Sequence, residues 1–202
     1  MPVGCRQIHL VEFRKDTAYS MPLRSKLLGL ALLVEGAAFI LALVLAQQWG
    51  IALFPLTEHL LRDCLIGAAA AAIPFALFVF TLSEKAKTIP LLGSMRRMVR
   101  GEIKAIFASA TLVDICLISL WAGLAEELLF RGVIQAKWGL LAASILFGTL
   151  HFVTPAYALL AMVIGFYIGL LHHFFQSLLI PIQLHCIYDF GALIYLKYFV
   201  HD

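Results

Sequence analysis

Three short patterns set ionisable side chains inside apolar runs of this chain. They are Glu126-Glu127 followed by Arg131, Phe147 followed by His151, and His185 followed by Asp189. On a helix, residues four apart share a face, so Glu127 is the natural partner of Arg131, while Glu126 turns about 100° away and is free to act as a general base. Phe147 and His151 share a face by the same rule, as do His185 and Asp189. From the glutamate stretch alone, a helix end where both carboxylates meet water stays open. A histidine within a span is also often only a hydrogen-bond partner of a neighbouring helix. Taken together, two histidines and two carboxylates facing one cavity could orient a water, take its proton and stabilise a tetrahedral oxyanion, as peptide-bond hydrolysis requires. The same set could bind a divalent metal.

Composition says what must hold these residues. The chain has 202 residues, of which 62% are hydrophobic and 13% charged, against roughly a quarter charged in soluble proteins. It reads as an all-α, multi-pass transmembrane bundle of about six spans, since a span takes about 20 residues. The net charge of +3 is small, and the basic residues gather at the ends of apolar runs. That pattern suits a lipid bilayer with anionic headgroups and not nucleic acid. Cys5, Cys64, Cys116 and Cys186 form no CxxC pair and read as small buried residues.

Residues 1–26 form a basic N-terminal segment, expected in the cytoplasm by the positive-inside rule. An uncleaved first span is expected over 27–46 and a second over 60–82, kinked at Pro74. The basic stretch 83–104 should share the side of the N-terminus, with an amphipathic helix at about 90–104 lying in the headgroup plane. Thus 27–104 comprises two spans and a connector, and 105–202 holds the chemistry. In that part a third span starts near 106 and continues as helix to about 135, with a break around 137–139. Later spans are expected over 140–153, 156–171 and 174–199, the last interrupted by Pro181. Gly165 and Gly169 form a small-xxx-small pair. At 1.5 Å per residue, Glu126, His151 and His185 converge in the outer half of the membrane. Glu35 and Asp114 have no assigned role.

The three patterns, in this order and spacing, resemble the CPBP (CAAX protease and bacteriocin-processing, or Abi) family of intramembrane proteases, whose EExxxR, FxxxH and HxxxN/D motifs they match. The resemblance covers roughly residues 120–192. It implies that Glu126 with His151 activates water, that His185 and Asp189 stabilise the oxyanion or position the scissile carbonyl, and that Glu127, Arg131 and Phe147 support the site. It also implies a glutamate-dependent enzyme without a cofactor, a divalent metal being disfavoured, in line with the lack of an HExxH pair. Asp189 stands where Asn is frequent, and an ionised Asp would repel an oxyanion unless it acts through His185. The expected protein is therefore a membrane-embedded endopeptidase of a prokaryotic cell membrane, acting on a membrane-associated protein or peptide. No motif specifies an oligomeric state. The competing readings are a non-catalytic immunity or partner-binding membrane protein, a metal-dependent intramembrane protease, and a small proton-coupled transporter.

Overall fold

Backbone polar groups in hydrocarbon must be satisfied within the chain, and a run this apolar meets that demand with helices. The computed structural model describes residues 23–200, and among them the regular elements are helical. Helix α1 spans Leu23–Trp49, α2 Leu60–Ala70 and α3 Ala72–Leu82. A 3-10 turn, Lys85–Thr88, leads to α4, Pro90–Met98, and through a π turn, Val99–Ile103, to α5, Lys104–Phe107. Helix α6 spans Leu112–Glu127, a second π turn Leu128–Gln135, α7 Ala136–Leu150, α8 Pro155–Phe175 and α9 Leu179–Tyr198.

Four helical stretches have the length and hydropathy of a span: Leu23–Trp49, Leu60–Leu82, Pro155–Phe175 and Leu179–Tyr198. The rest of the apolar chain is a broken passage in which Pro90–Phe107 and Leu112–Leu150 meet at 112°. The third and fourth expected spans are therefore not independent, and the described residues hold four spans, or five if the bent pair counts as one, against the expected six or so. Gly139, at φ 85°, supplies the expected break before the rest of α7. The 15 residues of α7 reach only about 22 Å, short of a core about 30 Å thick.

Contacts at the two ends fix the helix directions. At one end Arg24 grips Asp114 through Nε–Oδ2 at 2.7 Å and Nη2–Oδ1 at 2.9 Å, and Lys197 Nζ donates to the Ala108 carbonyl at 2.8 Å. At the other, the Trp49 and Trp138 rings lie 5.5 Å apart. So α1 and α6 run together and α9 runs against them. The start of α1 and the basic segment lie at one end, as the charge pattern predicts, with α5 touching α1 and α9. Outside the spans, Lys87 and Arg96 pair with Glu84. The hydrogen bond from Lys87 holds that carboxyl below its ordinary range.

The expected amphipathic helix exists and extends to Phe107, but its apolar side is not given over to lipid. Met95, Met98 and Val99 are buried against Phe78, Leu82, Ala192 and Leu196. Pro74 acts as expected: it lacks the N–H that would bond the Ala70 carbonyl, the helix breaks at Ala71, and the Tyr167 hydroxyl donates to Ala70 O at 3.2 Å instead. Pro181, by contrast, does not interrupt the last span. It lies in the first turn of α9, where a missing N–H costs nothing, and Phe174 and Phe175 belong to α8. His172 and His173 likewise close α8 rather than forming a connection, a favourable end of the helix dipole for such residues. Cys64, Cys116 and Cys186 are unpaired and only partly buried, and Cys5 lies outside the described residues, as does most of the N-terminal segment.

Candidate active site

Glu127 closes α6, and Arg131 lies in the π turn that follows. Such turns in helices are frequent at functional sites. The pair is buried, Glu127 at 0% and Arg131 at 1% exposure, so each charge depends on its partners. Arg131 Nη1 donates to Glu127 Oε1 at 2.9 Å, Nη2 donates to the Gly165 carbonyl at 2.9 Å, and the guanidinium lies 4.7 Å over the Phe147 ring. The glycine permits this close approach: a Cβ on residue 165 would stand 3.2 Å from Phe147 and 3.3 Å from Arg131 Nη2, tighter than usual contact. Gly123 does the same for α9, since its Cβ would lie 2.5 Å from Cys186 Sγ.

That closeness lets His185 reach across. Its Nδ1 donates to Glu127 Oε1 at 2.7 Å, and its Nε2 lies 3.4 Å from Asp189 Oδ2. The first bond fixes the ring and leaves Nε2 towards Asp189, a second-partner arrangement that orients a functional histidine. Asp189 therefore engages His185, as its charge requires. His151 is set differently. It follows the last residue of α7, its Nδ1 donates to the Phe147 carbonyl at 2.8 Å, and its ring stacks on Phe147 at 4.3 Å. With Nδ1 the donor, Nε2 keeps its lone pair and lies 3.6 Å from Glu126 Oε2.

These groups face a cavity of about 90 Å³ lined by Glu126, Phe147, His151, Tyr157, His185, Tyr188 and Asp189. All the predicted catalytic residues, Glu126, His151, His185 and Asp189, thus meet in one place. Water occupies about 30 Å³ in the liquid, so a few molecules fit. A second cavity of about 240 Å³ shares Glu126, Tyr157, Tyr188 and Asp189 and continues to Glu35 and to the inner side of Pro90–Phe107, including Met95, Val99, Ile103 and Phe107. It therefore runs towards the basic end. Glu126 stands about 21 Å along α6 and His185 about 9 Å along α9, so the site lies in the half of the bundle away from the basic end; the cavity leads the other way. Sequence reasoning missed Tyr157 and Tyr188; the latter, three residues after His185, carried a face signal. Glu35 lines the cavity, whereas Asp114 is a clamp. It pairs with Arg24 and forms a reciprocal capping box with Thr111. Among the described residues, no group of three or more His, Cys, Asp or Glu has the arrangement to hold a metal ion.

Residues 107–191 match the model of the type II CAAX prenyl endopeptidase Rce1-like family. Through this segment the chain is similar to that family, as the three motifs lead one to expect. The matched segment contains every predicted site residue. The uncharacterized protein YpbD of Bacillus subtilis (strain 168) is 38% identical over 92 residues, which cover 44% of this chain and 49% of that protein. The chain thus spans about half the length of the curated relative it matches. No solved structure matches the chain.

Proposed function

We propose that the protein is a membrane-embedded endopeptidase that hydrolyses a peptide bond of a membrane-associated protein or peptide with water activated by Glu126 and His151. The observation that carries this reading is the gap between Glu126 Oε2 and His151 Nε2, 3.6 Å across, beside a cavity. The gap is too long for a direct hydrogen bond and both side chains line the cavity, where a water can donate to the carboxylate beside the imidazole. Glu126 takes the water's proton as its oxygen attacks the scissile carbonyl carbon, forming a C–O bond and moving the carbonyl electrons onto oxygen. His185, braced by Glu127 and with Asp189 at its other nitrogen, is the group near enough to polarise that oxygen. Collapse breaks the C–N bond, and the proton held by Glu126 passes to the leaving amine. The products are a carboxylic acid and an amine, which end as carboxylate and ammonium once the acid's proton passes to the amine.

No cofactor enters this scheme. The substrate reaches the site from the basic end, which in this reading faces the cytoplasm of a prokaryotic cell and carries the N-terminus. An apolar groove of about 450 Å³ between α1 and α6, lined by Leu28, Leu32, Leu117 and Trp121, shares Ile118 with the cavity and suits an apolar stretch of the substrate. The test compares membranes carrying wild-type protein or Glu126→Ala by quantitative proteomics. One or more precursors accumulate with the variant and are processed by the wild type whether or not a chelator is present. Equal processing by both proteins overturns the assignment, and loss to chelator restored by zinc overturns the metal-free scheme.

A further inference from the structure

The hydrolysis above does not use Glu35, although it lines the same cavity as Glu126 and Asp189. It belongs to α1, outside the matched segment 107–191. Its Oε2 is buried with no hydrogen-bond partner. A structural carboxylate in this bundle is supplied with a cation: Asp114 with Arg24, Asp63 with Arg62 and Glu127 with Arg131. Among the described residues Glu35 has no such supply, and none of the described lysines or arginines lines its cavity. Ionisable groups kept at such depth mark a ligand path more often than a packing need.

The cavity also describes its occupant. Its volume, about 240 Å³, is below the roughly 300–1,000 Å³ of pockets that enclose whole small molecules, so it suits a side chain. Met95, Val99, Ile103 and Phe107 give it apolar walls, and Glu35 gives it an anionic point. An apolar stem with a cationic tip is the side chain of lysine or arginine. Because the wall is continuous with the water-sized cavity through Glu126 and Asp189, that side chain belongs to a residue near the scissile bond.

We propose that Glu35 is a specificity-determining residue that accepts a charge-assisted hydrogen bond from a lysine or arginine of the substrate within about three residues of the scissile bond. This rests on the endopeptidase reading. The test uses the full chain in liposomes with a mixed peptide library, cleavage sites being read by mass spectrometry. Wild type enriches Lys or Arg at one position beside the cut. With Glu35→Gln, the ratio of cleavage at Lys or Arg peptides to cleavage at Leu or Met peptides falls about tenfold or more, the value of one such hydrogen bond. With Glu35→Lys the preference moves to Asp or Glu. Wild type that cleaves without a basic preference, or a Glu35→Gln profile that keeps it, overturns the role of Glu35 alone. So does a uniform loss across all peptides by a variant that retains the wild-type gel-filtration profile. Wild type that cleaves no peptide more than Glu126→Ala overturns the endopeptidase reading together with this one.

Discussion

Asp114 and Glu126 belong to the same helix, about 18 Å apart along its axis, and the protein treats them in opposite ways. Asp114 is saturated: Arg24 grips both of its oxygens, and it accepts from the Thr111 backbone while capping the helix. Asp63 near the opposite end is held likewise by Thr57 and Arg62. Midway, Glu126 Oε2 and Glu35 Oε2 are buried without hydrogen-bond partners, and both residues line the cavity. A carboxylate with its partners in place holds helices together, and one without them has reactivity to spare. Between the two stands Glu127, paired with Arg131 and His185 and shaping the site without lining its cavity.

Breaking a saturated pair should cost stability, and altering an unsaturated carboxylate should cost activity. The largest loss of stability is expected for Arg131→Met, which leaves Glu127 buried without its guanidinium. About 3–5 kcal/mol is lost, read as a lower unfolding midpoint in detergent, and an unchanged midpoint breaks the distinction. Gly165→Val comes next, forcing a side chain between Phe147 and Arg131 at about 1–3 kcal/mol. Chemical denaturation measures it, and a neutral result would mean that the α8 backbone yields freely. Asp189→Asn keeps an acceptor beside His185 but removes its charge, so kcat should fall about tenfold; a loss as complete as that of Glu126→Ala would make Asp189 itself the base. The smallest effect belongs to Asp114→Ala, about 1 kcal/mol from the cap. Its cleavage rate per folded molecule stays that of wild type, and a lower rate would tie the clamp to the chemistry.

Much of this was legible in the residues. The division between Glu126 and Glu127 follows from helical angles and survives the π turn, because that turn begins only at Leu128. The pairs Phe147–His151 and His185–Asp189 follow from four-residue spacing and are observed. Other features were hidden for physical reasons. Helix α1 is apolar on nearly every side, so its pattern does not fix which way Glu35 turns. Amphipathicity over Pro90–Phe107 announces a buried face without distinguishing lipid from protein, and here the protein takes it. The Glu127–His185 bond depends on how closely α6 approaches α9, which Gly123 permits but spacing along one helix cannot reveal.

The most direct measurement is the cleavage rate of Glu126→Gln in liposomes, taken beside its unfolding midpoint. An amide of the same shape keeps the cavity but cannot take the proton of water. The account predicts a wild-type midpoint and a rate lower by about 10²–10⁴. A variant that folds normally and retains more than about a tenth of the wild-type rate would contradict Glu126 as the base.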